Sequence, residues 1–233
     1  MAKMVNAKPK HSSGAYERVF NNAELGNLIT KVQSTAISNG NELEKLILKL
    51  IKKESIIYDF DKFIEEYKRT FFTAGSAIKL IPKKVIKKSK KLKQNFEPDF
   101  IVLKADQEEE CCYIIELKDG FTFDTKKVIG EKQHLKLFEG YIATQIPYST
   151  KIRFCCFNEN NKKVIKQGLK NTFEIEEIMT GREFCKLINI NYNKILEIRK
   201  NNGEENFEYF INELLRINKA KSMILSRLSL NNY

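Results

Sequence analysis

Three residues of this chain, Asp99, Glu116 and Lys118, have the types and the spacing that metal-assisted hydrolysis requires. Asp99 follows Pro98 in the segment EPDFIVL, and Glu116 and Lys118 lie near the end of the segment YIIELKDG. Two carboxylates at one strand edge suit a hard cation such as Mg²⁺, which prefers oxygen ligands and keeps several waters. Such an ion can neutralise a phosphate and lower the pKa of a water that Lys118 orients. The chemistry predicted is hydrolysis of a phosphodiester bond.

Two neighbouring strands are expected to position these groups. Residues 100–103 and 111–117 are apolar runs rich in β-formers, separated by a polar stretch, and this pattern predicts an antiparallel hairpin. Because side chains alternate along a strand, Glu116 and Lys118 project to one face. The hairpin can then bring Asp99 beside them.

A structural interpretation of the same residues competes with the catalytic one. Asp99 would simply begin a strand after a turn-forming proline, and Glu116 and Lys118 would form an exposed pair at the end of the other strand. Short patterns of this kind also arise by chance. Their position on the two arms of one predicted hairpin favours the catalytic site.

The charge of the chain indicates a polyanionic partner. Lysine and arginine outnumber aspartate and glutamate by 41 to 30, which gives a net charge of +11. Residues 83–93 contain seven lysines and no acid, so they predict a solvated loop or short exposed helix that contacts phosphate, with a merely solvated loop as the alternative. The candidate DNA contacts here are Lys83, Lys84, Lys87 and Lys88. Double-stranded DNA is therefore the expected partner.

Other classes of function receive little support from the sequence. No apolar run approaches the ~20 residues of a membrane-spanning helix, and residues 1–14 carry charge without an apolar stretch, so a cytoplasmic protein is expected. The five cysteines include two adjacent pairs and are interpreted as small buried strand residues. His11 and His134 are too few for a histidine-based nuclease site, and no phosphate-binding GxxxxGK[ST] loop occurs.

The remaining pattern predicts a mixed sheet flanked by helices in a single domain over residues 1–233. Residues 1–15 are expected to be a flexible leader. Asn41 is expected to cap a helix after a break at Gly40, and Thr180 with Glu183 forms a capping-box spacing. Helices are predicted at 23–34, 42–53, 59–70, 128–145, 162–170, from about 180, and at 204–228; further strands are predicted at 71–81, 151–157 and 172–175. The helix at 128–145 implies a parallel crossover to the strand at 151–157.

With Pro98, Asp99, Glu116 and Lys118, the chain resembles the PD-(D/E)xK nuclease superfamily and, within it, the type II restriction endonucleases. The resemblance implies an α/β fold with a restriction-endonuclease-like core over residues 42–157 and helical additions over 158–233. It implies that Asp99 and Glu116 bind the metal, that Lys118 assists hydrolysis, and that cleavage leaves 5′-phosphate ends.

The resemblance also implies further site residues. The family often adds a glutamate from the first core helix, and the stretch GNELEKLI resembles that helix, with Glu44 the better match and Glu42 the alternative. The segment FTFDTKKVIGEKQHLKLF resembles the polar mouth of such sites. Lys126, Lys127, Lys132 and Gln133 are its candidates for contacting the DNA backbone or assisting the metal site, with an ordinary polar helix start as the alternative interpretation.

The function implied is Mg²⁺-dependent cleavage of double-stranded DNA at a short specific sequence. A homodimer would match a palindromic site, and a separate methyltransferase that protects the same sequence is expected. One alternative is a repair or junction-resolving nuclease of the same core. The other is a non-catalytic DNA-binding protein in which the acid pair is structural.

Overall fold

The structure is a computed structural model, and it describes residues 2–8, 14–70, 77–92, 94–106 and 110–230. The chain forms two compact units: residues up to Leu46 together with those from Asn193 onward, and Ile47–Tyr192. The single-domain organisation stays a prediction. The described helices are α1 (Gly14–Phe20), α2 (Ala23–Leu50), α3 (Phe60–Thr70), α4 (Lys83–Lys88), α5 (Thr125–Ile142), α6 (Lys162–Gly168), α7 (Gly181–Leu187), α8 (Tyr192–Arg216) and α9 (Asn218–Leu230).

The second unit is built on one mixed sheet. Its described strands, in sheet order, are β1 (Ala77–Pro82), β2 (Phe100–Ala105), β3 (Glu110–Lys118), β4 (Ser149–Cys156) and β5 (Ile178–Thr180). β1, β2 and β3 run antiparallel to one another in turn, whereas β4 pairs parallel with β3 and with β5. The predicted hairpin and the predicted crossover through α5 are therefore confirmed, and so is the mixed sheet flanked by helices.

The core of this unit lies between the sheet and α5. Cys112 and Ile114 of β3 alternate into it and meet Val128, Leu135 and Phe138 of the helix. Burying such side chains stabilises the fold by roughly 1.5–3 kcal/mol each. Four of the cysteines are buried in β3 and β4, as predicted, whereas Cys185 is buried in the helix α7, so its predicted place in a strand is wrong.

Several predicted elements are confirmed with small shifts. The carboxylate of Asp59 accepts from Lys62 N–H at 3.1 Å and caps α3, which begins one residue later than predicted. Asp124 caps α5 by accepting from the amides of Lys126 and Lys127, which starts the helix three residues earlier than predicted. Thr180 and Glu183 form the predicted capping box. The predicted strand at 71–81 is described only from residue 77, since 71–76 lie outside the described residues.

The predicted break at Gly40 is wrong, because α2 continues through it. A glycine costs a helix only about 1 kcal/mol relative to alanine. The hydroxyls of Thr35 and Ser38 bond back to the carbonyls of Lys31 and Ser34, so these polar residues are satisfied inside the helix. Asn41 is therefore an interior residue and not a cap.

Two other predicted elements are misplaced. The strand predicted at 172–175 is a turn, in which Phe173 is buried and Glu177 N–H donates to the Glu174 carbonyl at 3.0 Å; the strand itself begins at Ile178. The helix predicted at 204–228 is two helices, α8 and α9, separated at Ile217. α8 begins at Tyr192, twelve residues earlier than predicted, and Ile195 in its first turn is buried.

Within the first unit, part of the predicted leader is anchored. Met4 is 4% exposed, and its amide donates to Asn206 Oδ1 at 2.7 Å. The Asn206 side chain in turn donates to the Ala2 carbonyl at 2.7 Å. Residues 2–8 therefore pack on α8, and residues 9–13 lie outside the described residues.

Candidate active site

Asp99 lies immediately before β2 and is 5% exposed. The register pairs Phe100 with Ile115, so the next step along the ladder sets Asp99 opposite Glu116. Its Oδ2 accepts the backbone N–H of Leu117 at 2.8 Å, and its Oδ1 accepts from Lys83 Nζ at 2.9 Å. The carboxylate is therefore fixed against the end of β3.

Glu116 and Lys118 end β3 and share a face, as strand alternation requires. Lys118 Nζ donates to Glu116 Oε1 and also lies 3.2 Å from Oε1 of Glu131 on α5. Glu116 is 3% exposed, and its second oxygen, Oε2, is buried without a hydrogen-bond partner among the described residues. A buried carboxylate oxygen without a partner is costly, so this oxygen marks a place where a cation would be stabilised.

The charges of the site perturb each other. Burial raises the pKa of Glu116 to about 7, the charges of Asp99 and Glu131 raise it too, and the ion pair with Lys118 opposes the shift. Burial lowers the pKa of Lys118, but Glu116, Glu131 and Asp99 together outweigh that effect and hold its pKa above the usual value. Burial and the neighbouring negative charges both disfavour the ionised form of Glu116. A bound divalent cation would favour that form.

Close packing fixes the strand end that carries these groups. The Lys118 carbonyl accepts from Phe157 N–H at 2.9 Å, and Asn158 donates to the Asp119 carbonyl at 2.8 Å. Further along, the backbone of Phe121 passes so near Gly168 that a Cβ there would lie 1.9 Å from the Phe121 carbonyl oxygen. Only glycine fits this approach, so the loop after β3 is held in one position.

The donor set fits a hard cation that keeps part of its water shell. Among the described residues, no three His, Cys, Asp or Glu side chains form a metal-binding group. Asp99 and Glu116 offer carboxylate oxygens, and the remaining positions would be filled by water and phosphate oxygens. Mg²⁺ is usually bound by one or two carboxylates in this way.

The predicted DNA contacts fall into three groups. Lys84, Lys87 and Lys88 are exposed on α4, whose Val85 and Ile86 are buried, and Lys126, Lys127 and Gln133 are exposed on α5. Lys83 instead pairs with Asp99. Lys132 is held on Glu177, at 2.8 Å, and on the Thr172 carbonyl, at 2.7 Å.

The segment after α4 is held by Asp61. Its carboxylate accepts from the Ser89 hydroxyl and from the amides of Lys90 and Lys91, at 2.8 and 3.3 Å. Burial raises the pKa of Asp61, but these hydrogen bonds outweigh burial and lower it. Residues 83–92 thus form a defined surface of the second unit.

The predicted fourth acid belongs to the first unit. Glu44 is partly buried on α2, and Glu42 lies on the same helix 3.8 Å from Lys45. Their role beside Asp99 stays a prediction. His134 is exposed and stacks on Phe96, with ring centroids 4.6 Å apart, and His11 lies outside the described residues.

Sequence reasoning missed Glu131 and the pairing of Lys83 with Asp99. The signal for Glu131 was present: it falls between Val128 and Leu135 in the apolar stripe of α5, where a carboxylate needs a partner. No local pattern pointed to Lys83, because its partner lies sixteen residues away.

The comparisons with known proteins identify the family. The chain is 42% identical to the type II restriction enzyme HhaII of Haemophilus parahaemolyticus over 228 residues, which cover 96% of this chain and 98% of that enzyme. No protein-family model and no solved structure matches. A search of the described helices finds none that is long and apolar enough to cross a membrane. Identity at this level over nearly the whole of both chains is decisive between the alternatives: the chain belongs to the type II restriction enzymes and is a site-specific endodeoxyribonuclease.

Proposed function

We propose that this restriction endonuclease hydrolyses both strands of double-stranded DNA at a short specific sequence, using Mg²⁺ held by Asp99 and Glu116 and leaving 5′-phosphate ends. Membership of the type II restriction enzymes indicates a divalent metal cofactor. The observation that carries the assignment of the site is the buried, unpaired Oε2 of Glu116, one residue from the amide that fixes Asp99. Glu44, with Glu42 as the alternative, is proposed as an additional acid.

The residues have separate roles in the proposed reaction. Bound Mg²⁺ would neutralise the scissile phosphate and lower the pKa of an attacking water. Asp99 and Glu116 would hold the ion, and Lys118 would orient the water or share charge with the phosphate as it becomes more negative. Glu131 on α5 would keep the Lys118 ammonium close to the metal site, since its Oε1 lies 3.2 Å from Lys118 Nζ.

The exposed basic residues supply non-specific attraction to DNA. Lys84, Lys87 and Lys88 present three ammoniums from one short helix, and Lys126 and Lys127 begin α5 directly after the catalytic strand and its loop. Contacts of this kind position the protein on phosphates without reading sequence. Lys83, Lys132 and Gln133 are proposed as further contacts, although Lys132 would first have to leave Glu177.

Digestion of a long DNA of known sequence tests the proposed function. With Mg²⁺ we expect discrete fragments whose ends share one short sequence and carry 5′-phosphates, and with EDTA we expect no cutting. Ligation of the fragments before and after phosphatase treatment checks the end chemistry. A smear, or cutting only at branched DNA, would support a repair or junction-resolving nuclease instead.

A homodimer is proposed as the active form. The described part of α9 exposes Met223, Leu225, Leu228 and Leu230, with Leu230 75% exposed, and several large exposed apolar residues on one helix are typical of a surface that a second protein covers. Sedimentation is expected to give a mass near twice 27.2 kDa for the free protein, and that mass plus one duplex on cognate DNA. A stable monomer in both states would contradict it. A separate methyltransferase that protects the same sequence, and a cytoplasmic site of action, are proposed from the family alone.

A further inference from the structure

Two lysine ammoniums lie on the two carboxylates proposed to bind metal. Lys83 Nζ lies 2.9 Å from Asp99 Oδ1, and Lys118 Nζ lies on Glu116 Oε1. Lys83 thus contacts the Asp99 oxygen that the Leu117 amide leaves open to a divalent ion, whereas Lys118 leaves Oε2 of Glu116 without a partner among the described residues. Because a divalent ion and an ammonium repel each other on one carboxylate, ion binding at Asp99 weakens its pair with Lys83.

The two lysines differ in where their ammoniums can go. Lys118 already has a second acceptor, Glu131, so it can leave Glu116 and stay inside the site. The Lys83 side chain is 42% exposed, compared with 21% for Lys118. Rotation of its side chain therefore carries the Lys83 ammonium outward.

The backbone of Lys83 keeps that motion local. Lys83 is the first residue of α4, and its N–H donates to the Asp99 carbonyl at 2.9 Å. Its Cα thus stays beside Asp99 whether or not the ammonium does. The next residues, Lys84, Lys87 and Lys88, face solvent on the same helix, so a phosphate drawn to α4 would meet the displaced ammonium.

We propose that Lys83 is an internal counter-ion, which neutralises Asp99 in the metal-free protein, yields that carboxylate to the divalent ion, and then contacts a DNA phosphate next to the metal site. The inference rests on the proposed role of Asp99 as a metal ligand. Lys83 would then couple the binding of the divalent ion to the binding of DNA. Metal frees the ammonium for DNA, and DNA gives the freed ammonium a partner, so each ligand raises the affinity for the other.

The test measures Mn²⁺ binding without DNA by isothermal titration calorimetry, and by the rise in Tm that Mn²⁺ causes. Lys83→Met keeps the length of the stem and removes the competitor for Asp99. We expect it to bind Mn²⁺ roughly two- to fivefold more tightly than wild type, the range that a partly exposed ion pair contributes. The matched control is Lys84→Met, which makes the same change of charge one residue away, and we expect wild-type affinity from it because salt screens an exposed charge.

The outcomes separate the inference from the proposed site. Equal Mn²⁺ affinity in Lys83→Met and Lys84→Met would overturn the counter-ion role. Wild-type Mn²⁺ affinity in Asp99→Asn would instead overturn the metal site itself, and the inference with it. Lys83→Gln gives the same comparison if the methionine variant folds poorly, since its amide still donates a neutral hydrogen bond to Asp99.

The link to DNA is measured with Ca²⁺ as a probe ion and a duplex that contains the cleavage sequence found by digestion. Wild type is expected to bind this duplex more tightly when Ca²⁺ is present, and Lys83→Met is expected to lose most of that gain. A gain as large in Lys83→Met as in wild type would show that the lysine does not couple the two ligands.

Discussion

Replacing Asp99 by asparagine or Glu116 by glutamine is expected to slow DNA cleavage by at least about 10³-fold and to leave DNA binding largely intact. The metal contributes several kcal/mol to the reaction, and losing about 4 kcal/mol corresponds to a factor of about 10³. Both changes keep the side-chain volume in a buried site and remove only the charge. The new amide of the Asp99→Asn variant would also turn its NH₂ group toward either the Lys83 ammonium or the Leu117 amide, both of which are donors.

Single-turnover cleavage of a duplex in Mg²⁺, with binding of the same duplex measured by fluorescence anisotropy in Ca²⁺, checks this expectation. Glu110→Gln is the matched control, because Glu110 is exposed at the opposite end of β3 and the substitution makes the same chemical change. Its cleavage rate should stay within about twofold of wild type. Cleavage by Asp99→Asn or Glu116→Gln within about tenfold of wild type would mean that the acid pair is structural.

The hairpin that carries the site could be predicted because its information is local. Continuous apolar residues of high β-propensity define residues 100–103 and 111–117, and the polar stretch between them predicts the turn. The strand period then fixes that Glu116 and Lys118 share a face. The strand register determines the position of Asp99, because the pairing of Phe100 with Ile115 sets Asp99 opposite Glu116.

The elements that were misplaced depend on packing. Gly40 has the sequence of a helix break, yet α2 passes through it because the glycine penalty is small beside the burial of Leu43 and Ile47. Phe173 looked like part of a strand but is a single buried anchor in a turn, and β5 follows it. In such short segments, apolar residues predict which side chains are buried. Whether the backbone there forms a strand or a turn depends on the tertiary structure.

The electrostatics of the site could be predicted only in part. A carboxylate in the apolar stripe of α5 was visible at Glu131, and its partner had to be a cation on a neighbouring element. The lysine run at 83–93 was assigned to DNA as a whole. That its first member turns inward to Asp99 depends on how β1 ends beside β2, since the pairing of Pro82 with Phe100 brings α4 to the start of β2.

Replacing Lys118 by methionine is the second change expected to have a large effect, a loss of cleavage of about 10²- to 10³-fold. The methionine keeps an unbranched side chain but cannot orient the water or share the negative charge of the phosphate. It also leaves Glu116 and Glu131 facing each other without the cation between them, so the metal-free variant should have a lower Tm. Mn²⁺ should raise the Tm of this variant by more than it raises the Tm of wild type, because the ion replaces the missing positive charge.

The combination of the two readouts distinguishes a catalytic lysine from a merely structural one. A structural lysine would give a variant whose cleavage recovers when Mn²⁺ restores its Tm, whereas a catalytic lysine gives a stable, metal-loaded and inactive protein. Glu131→Gln supplies the matched comparison, since it removes one partner of Lys118 and keeps the ammonium. Its cleavage should fall less than that of Lys118→Met, because the ammonium is still present and the glutamine oxygen can still accept a hydrogen bond from it.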